Sequence, residues 1–453
     1  MSVFESAQAL AFVLLVLFLS YVALILVPFL RRTKEESGDP SAFEWHVFVP
    51  CRDEETVIGD TLARLRRTFP QAHVWVVDDD SDDGTAAVVE SAMHDDGMIH
   101  LVRRVRPHAR TGKGDALNAA YRRLGAWLPA DTDRSKVIVM VVDADGRMEE
   151  NALRQASGPG VFGDPLVGAA QSAVWMSNVD EPRGEEKGWG RLKAGFSRYL
   201  ILMQDIEFRT TIAAMQSLRR HTLTVGLGGN GQFSRLSTLD AVAASAGQPW
   251  HGALLEDYEL AIHIMLEGYR TVYMHDTHVS QEALPGVRRL LTQRTRWCHG
   301  GMQCSVYLKK IFDSPNFSNL GAIEASYFLI QPFIQMAGLI LWPTLFIVMI
   351  AQGVLNYGSL LSWFSAAWFV LPLIVLTGIL PFALWGVVYH RQVTPGRNRL
   401  LGLWWGLGYW LYMYQTYVCV VRAAYRLITG KTGWAKTRRN AETTGDKLLA
   451  KEA

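Results

Sequence analysis

Hydrophobic positions fall along this chain in three ways. From Ser6 to Leu30 no charged side chain interrupts the sequence. Its core, ALAFVLLVLFLSYVALILVPFL, is about 22 residues, enough at 1.5 Å per residue to cross a ~30 Å hydrocarbon layer. Three further apolar blocks lie late in the chain, at roughly 322–352, 363–389 and 401–428, with Trp and Tyr near their ends, which predicts spanning helices. Between these ends the pattern changes to short apolar runs alternating with amphipathic stretches. It predicts strands at His46–Pro50, His73–Val77, Ile99–Val105 and Val137–Val142, and helices at Asp53–Thr68, Gly84–Met93 and Asp115–Leu128. Apolar strands alternating with amphipathic helices predict a largely parallel sheet covered on both faces, in a nucleotide-binding α/β domain. Two basic amphipathic stretches, Arg198–Arg220 and Val287–Phe312, read as helices at a membrane surface.

Charge sharpens this division. Only 19% of the 453 residues are charged, below the globular norm of about 25%, and the deficit sits in the apolar ends. The net charge of +2 provides no field for nucleic acid. The expected organisation is a membrane anchor at 1–34, an α/β domain at 44–284, an interfacial helix at 285–320, membrane helices at 321–430 and a basic tail at 431–453. A cleaved leader is excluded: no basic segment precedes the first run, the run is too long, and no small-x-small site follows it. Arg31, Arg32 and Lys34 place the middle domain in the cytosol of a multi-pass protein at the cell membrane. The C-terminal half gives a conflict. The loop His390–Arg399 and the tail with Lys431, Lys436, Arg438 and Arg439 are both basic, yet a single block, 401–428, separates them. Either block 322–352 holds two membrane elements, or one block lies in the interface, or the tail breaks the charge rule. The four cysteines, Cys51, Cys298, Cys304 and Cys419, lack CxxC spacing and read as free thiols.

Candidate chemistry gathers at the C-terminal ends of the predicted strands, where open α/β sheets bind ligands. Asp143-Ala144-Asp145 leaves a buried strand and could share a hard divalent cation, Mg²⁺ or Mn²⁺, whose shell a diphosphate would complete. Asp78-Asp79-Asp80-Ser81-Asp82-Asp83 carries five acids in six positions, more than a helix cap needs, because like charges repel. Hydrogen bonding to a base or ribose is one reason for them, and capping of the helix opened by Gly84 another. Lys113 and Asn118 could close the far side of that pocket. Leu254, Leu255, Tyr258, Ile262 and Met265 form one apolar stripe, which sets Asp257 near the start of a buried helix. There it serves either as a cap or as a general base toward a hydroxyl. Gln293-Arg294-Thr295-Arg296-Trp297 could bring Arg and Trp over a diphosphate.

In this order the motifs resemble the family 2 glycosyltransferases of GT-A fold, in particular membrane-embedded cellulose, chitin and hyaluronan synthases, over roughly residues 44–310. The resemblance implies a GT-A α/β domain inserted between transmembrane helices. It implies that Asp79 contacts the base with Lys113 lining the same pocket, and that Asp143 and Asp145 hold the metal–diphosphate. Asp257 would then be the base. Gln293, Arg296 and Trp297 would close over the diphosphate, with Trp297 near the acceptor. Glu282 and Pro285 fit the spacing ahead of that helix. One turn departs from the pattern: Gly228-Gly229-Asn230-Gly231-Gln232-Phe233 stands where cellulose synthases carry a Phe-Phe-Cys-Gly-Ser-type acceptor turn, which leaves acceptor and product open. The expected activity is inverting transfer from a UDP-sugar, first as a processive β-polysaccharide synthase, alternatively as a single transfer to a membrane lipid. A catalytically dead scaffold is disfavoured by the full set of carboxylates. With one span ahead of the domain a translocation pore would be thin, so a homo-oligomer is a further expectation.

Overall fold

Strands β1 (Glu44–Cys51), β2 (His73–Asp79) and β4 (Val137–Val141) are buried along almost their whole length. Because side chains alternate across a strand, each feeds two cores. Val47, Val49, Val74, Val76, Ile138 and Met140 face one side. Phe48, Trp75, Val77, Val139 and Val141 face the other. Helices α2 (Glu55–Thr68) and α3 (Thr85–Asp95) cover the first core, and α4 (Lys113–Trp127) covers the second. This is the predicted alternation, with element ends shifted by one or two residues.

The described residues are 3–181, 189–359 and 375–431, with scattered positions between 360 and 374, in a computed structural model. Their sheet has eight strands in the order β3-β2-β1-β4-β7-β6-β8-β5, adding β3 (Ile99–Arg104), β5 (Arg147–Met148), β6 (Val167–Met176), β7 (Gln232–Arg235) and β8 (Arg270–Gln281). The expectation of a largely parallel sheet holds for β3-β2-β1-β4 and again for the β6–β8 pair, but the sheet as a whole is mixed. Strand β7 is antiparallel to β4 and β6, and β5 to β8. The second half escaped the sequence reading because Gln171, Ser172, Gln232 and Ser234 are buried polar residues and break the apolar pattern.

Ahead of the sheet stands α1 (Val3–Leu30). Its exit is clasped to the domain. Glu35 accepts from Arg220 Nη1 (2.6 Å) and His275 N (3.0 Å), while Glu35 N donates to Asp276 Oδ2 (2.6 Å). Beyond the sheet, α12 (Asn319–Tyr357) docks through Glu324, which accepts from Arg219 Nε (2.7 Å) and Thr224 Oγ1 (2.9 Å). Among the described residues, two helices are long and apolar enough to cross a bilayer, Ala9–Leu30 and Asn319–Val348.

The two later apolar blocks differ from expectation. Most of 363–374 lies outside the described residues. The rest of that block forms a π-helical turn, Val375–Ile379, and a helix, Leu380–Val393. Block 401–428 is two helices, Arg399–Met413 and Gln415–Ile428, rather than one long span. In chain order these three helices are α13, α14 and α15, after α5 (Ala152–Ala156), α6 (Trp189–Ile206), α7 (Ala213–Thr222), α8 (Leu236–Ala246), α9 (Glu256–Leu266), α10 (Val287–Cys304) and α11 (Leu308–Asp313). The pair α13–α14 packs backbone to backbone. A Cβ on Gly406 would stand 2.2 Å from Ala383 O, so small residues let these helices touch. Helix α15 instead lies along α10, where Cys419 Sγ approaches Leu291 O at 3.8 Å. The basic tail from 432 onward lies outside the described residues.

Candidate active site

The turn after β2 holds its acids differently from a solvated loop. Asp79 is 5% exposed; its carboxylate bonds the Arg104 guanidinium and accepts from Arg110 N at 3.1 Å. Burial raises its pKa despite these partners. Asp80 pairs with Arg106 (2.7 Å) and Asp82 with Arg110 (2.7 Å). The hydrogen bond from Arg110 holds the exposed Asp82 carboxyl below its ordinary range. The arginines that neutralise this cluster sit about 25 residues downstream in Arg104–Arg110, a spacing no local reading connects. Gly84 precedes α3 as expected, and Asp83 Oδ1 accepts from Thr85 N at 3.0 Å.

A second cluster forms where β4 ends. Its floor is a pocket of about 160 Å³ lined by Lys113, Asp143, Glu256, Asp257, Gln293, Arg296 and Trp297 among others. Residues from four chain segments thus meet around one space. Asp145, half-buried on the same turn as Asp143, lies outside that wall. Lys113 was expected beside Asp79; instead its Nζ donates to Asp143 Oδ1 at 2.6 Å. The reason is geometric: Lys113 begins α4 directly after Gly112, and from there the side chain reaches the exit of β4.

Asp257 occupies the first turn of α9, held by a braced loop. Asn118 Nδ2 donates to Trp250 O (2.7 Å), Glu259 Oε2 accepts from Ala253 N (2.9 Å) and Gln303 Oε1 accepts from Leu254 N (2.8 Å). Asn118, expected in the pocket, is therefore part of its scaffold. Burial raises the Asp257 pKa to about 7; the neighbouring Glu256 charge adds to the rise, while Lys113 and Arg296 oppose it. Burial likewise raises Glu256. For Lys113, burial acts to lower the pKa, but Asp143, Glu256 and Asp257 outweigh it and the net shift is upward.

The glycine-rich turn closes the pocket. Gly229 has φ +77°, and a Cβ there would lie 2.8 Å from Asp257 Oδ2 and 3.0 Å from Lys113 Nζ, so a side chain is excluded by conformation and by space. Asn230 buckles three strands together. Its Oδ1 accepts from Asp143 N (3.1 Å), its Nδ2 donates to Gln281 Oε1 (3.0 Å), and its carbonyl accepts from Gln171 Nε2 (2.9 Å). The sequence reading noted this turn but missed Gln171 and Gln281, which line the pocket and have no motif of their own.

The remaining wall comes from Glu207–Ile212, a π-helical insertion between α6 and α7. The extra residue re-aims side chains: Phe208 and Ile212 line the pocket, while Glu207 accepts from Arg294 Nη2 (2.6 Å) and Tyr412 OH (2.9 Å). Arg294 in turn stacks 4.4 Å from the Trp297 ring centroid. The stretch around Arg198–Arg220, expected as an interfacial helix, thus also builds one side of the site.

Hard-oxygen donors suit Mg²⁺ or Mn²⁺. Asp143, Glu256 and Asp257 bring three carboxylates against two cations, Lys113 and Arg296, within one pocket. Asp143 offers one such oxygen donor in the pocket, and Asp145 would offer a second from the same turn.

A mixed eight-stranded α/β sheet with this acidic pocket at the strand ends defines a GT-A-type glycosyltransferase. The family model "Glycosyltransferase like family 2" matches residues 44–300, and the chain belongs to that family. It is 28% identical over 288 residues to a beta-monoglucosyldiacylglycerol synthase of Synechocystis sp., covering 60% of this chain and 53% of that protein. It is 26% identical over 185 residues to a polyprenol monophosphomannose synthase of Mycolicibacterium smegmatis, covering 39% and 62%. The chain spans about half the length of the synthases it matches first. In fold it resembles mannosyltransferase PcManGT from Pyrobaculum calidifontis, solved with GDP-Man and Mn²⁺, with a TM-score of 0.54 at 18% identity over 94% of this chain and 99% of that one.

Proposed function

We propose that this protein is a membrane-bound, inverting glycosyltransferase that moves one sugar from a UDP-sugar to a hydroxyl of a membrane lipid. The observation that carries the reading is Asp257: a buried carboxyl raised to about 7, in one pocket with Lys113, Asp143, Arg296 and Trp297. A base with a pKa near the working pH is the efficient one. Asp257 takes the acceptor hydroxyl proton as that oxygen attacks the anomeric carbon. The bond from the anomeric carbon to the diphosphate oxygen breaks, and UDP leaves with the electron pair. Arg296 and Lys113 face the leaving charge, the electrostatic contribution that dominates many such reactions. A divalent cation bound by Asp143 and Asp145 would supply further charge stabilisation to the diphosphate. Gln293 and Trp297 close over the diphosphate beside Arg296, with Trp297 also toward the acceptor, and Asp79 with its arginine partners is assigned to the nucleobase.

The lipid acceptor is favoured over the processive synthase by the relatives, whose names are those of a glucosyldiacylglycerol synthase and a polyprenol mannose synthase. Helices α1 and α12 read as bilayer spans with the sheet domain cytosolic. At 15 and 14 residues, α14 and α15 are each about 22 Å long, short for a ~30 Å core. With α15 lying along α10, one apolar block is interfacial, and the basic loop and basic tail can share the cytosolic side. The deciding experiment feeds labelled UDP-sugars to membranes bearing the protein, with and without chelator. Label in extractable lipid, lost on chelation, supports the reading; label in high-mass polymer restores the synthase.

A further inference from the structure

Where the apolar helices meet the sheet domain lies a buried ion pair outside the acidic pocket. Arg219 of α7 is 4% exposed, and its Nε donates to Glu324 of α12 at 2.7 Å. Glu324 also accepts from Thr224 Oγ1 at 2.9 Å and from the Tyr21 hydroxyl of α1 at 3.4 Å. Both helices read as bilayer spans therefore meet on one carboxylate. An apolar pair of similar size would join them as well or better, because burying two charges costs about as much as their attraction returns. Stability alone does not account for the pair. What a planar guanidinium adds is direction.

That direction leads to Asp257. The Arg219 guanidinium carbon lies 4.4 Å from the Phe328 ring centroid and 6.0 Å from that of Tyr258, and the two rings touch, with centroids 4.6 Å apart. Backbone closes the box: a Cβ on Gly226 would stand 2.8 Å from the Tyr258 ring and 3.4 Å from Arg219 Nη1. With its ring held, Tyr258 has a fixed N–H, and that N–H donates to Asp257 Oδ1 at 2.7 Å.

The other carboxylate oxygen depends on the same helix. Asp257 Oδ2 faces Gly229, three residues along from Gly226. Gln216 of α7 clamps Gly226 at both ends: its Nε2 donates to Gly226 O (2.6 Å) and its Oε1 accepts from Gly226 N (3.2 Å). Arg219 O accepts from Thr224 N at 2.9 Å, which sets the turn out of α7. Gln216 and Arg219 share one side of α7. Both oxygens of Asp257 are thus placed by groups anchored there, although neither Arg219 nor Glu324 lines the pocket.

We propose that Arg219, held by Glu324, is a positioning residue for Asp257: it fixes the Tyr258 ring and the Gly226–Gly229 turn, and so aims the carboxylate while α12 is docked on α7. The proposal rests on the reading of Asp257 as the base, and it ties that base to the docking of the membrane helices.

The test uses the full chain in nanodiscs made from the lipid of the membranes assayed above, with whichever labelled UDP-sugar of that screen gives most product. Rates are referred to UDP-binding sites counted by calorimetry, so loss of folded protein does not register as loss of rate. Arg219→Lys keeps a charge for Glu324 but loses the planar stacking group. Its kcat should fall roughly tenfold, since misplacement from a change far from the chemistry can cost up to about 10²-fold, while the donor KM stays within about twofold. The double variant Arg219→Met, Glu324→Leu replaces the pair by apolar groups. Its unfolding temperature should match or exceed that of the wild type, with kcat still low. Recovery of kcat together with the unfolding temperature would make the pair structural and overturn the proposal. Wild-type kcat in Arg219→Lys, or a donor KM raised as much as kcat falls, would do the same. So would a displaced acid limb of the pH–rate profile, because Arg219 would then act by charge and not by position. Asp257→Asn on the same samples separates the two readings. Transfer retained there removes the base itself, whereas transfer lost there, with Arg219→Lys at wild-type kcat, removes only the positioning.

Discussion

Two acidic clusters sit at the strand ends of this sheet, and they are balanced in opposite ways. After β2, Asp79, Asp80 and Asp82 each have an arginine from the 104–110 segment. Each of these three carboxylates has its own guanidinium, and the exposed Asp82 is held ionised. After β4, three carboxylates share Lys113 and Arg296 inside a pocket, and burial raises Asp257 to about 7. The first arrangement fixes a shape. The second leaves a proton acceptor poised near neutrality. Similar side chains take different roles because their partners and solvation differ.

The sharpest way to break this contrast is Asp257→Asn. Loss of a general base is worth about 10²–10⁴ in rate, so transfer should fall by about three orders of magnitude while UDP affinity, read by calorimetry, stays within about twofold. Equal loss of UDP affinity would make Asp257 a binding residue. Next is Lys113→Ala. Its charge lowers the Asp257 pKa, so its removal moves that pKa further above 7 and leaves less base ionised at neutral pH. The acid limb of the kcat/KM–pH profile, expected to rise through about 7 in the wild type, should shift to higher pH. The rate at pH 7 should fall roughly tenfold, less than the about 10²–10⁴-fold that outright loss of a general base costs. An unshifted limb would detach Lys113 from the base.

The arginine-matched cluster should respond differently. Arg104→Ala leaves the buried Asp79 carboxylate without its ion partner, a loss on the order of 3 kcal/mol for a buried pair. It should appear in thermal unfolding and as a raised KM for the UDP-sugar, with kcat for transfer nearly preserved in the protein that remains folded. Smallest is Asp82→Asn. That carboxylate is exposed, and exposed ion pairs contribute about 0–1 kcal/mol. Stability and rate should both stay near wild type, and a larger rate loss would give the outer acids a part in donor binding.

The two halves of the sheet were legible to different degrees. Strands β1, β2 and β4 announce themselves because apolar runs such as Val137–Val141 are buried on both faces. Strands β6 and β7 bury Gln171, Ser172, Gln232 and Ser234, and of these Gln171 and Ser172 line the pocket. In β6 the polarity that hides the strand from a hydrophobic pattern also builds the site. The block 401–428 misled for the converse reason. Its composition suits a span, but residue counts do not reveal the corner at Tyr414 that turns α15 along α10.

From its sequence alone the chain declared the α/β alternation of its first half, the apolar ends, and the order Asp79, Asp143 and Asp145, Asp257, Gln293–Trp297. All of these rest on local periodicity and residue type. Tertiary structure decided which of them meet. It turned Lys113 from Asp79 to Asp143, left Asp145 outside the pocket wall that Asp143 lines, and supplied Gln171 and the π-helical Phe208 from segments with no motif. It also raised Asp257, because desolvation belongs to the folded surroundings of a carboxyl and not to its place in the chain.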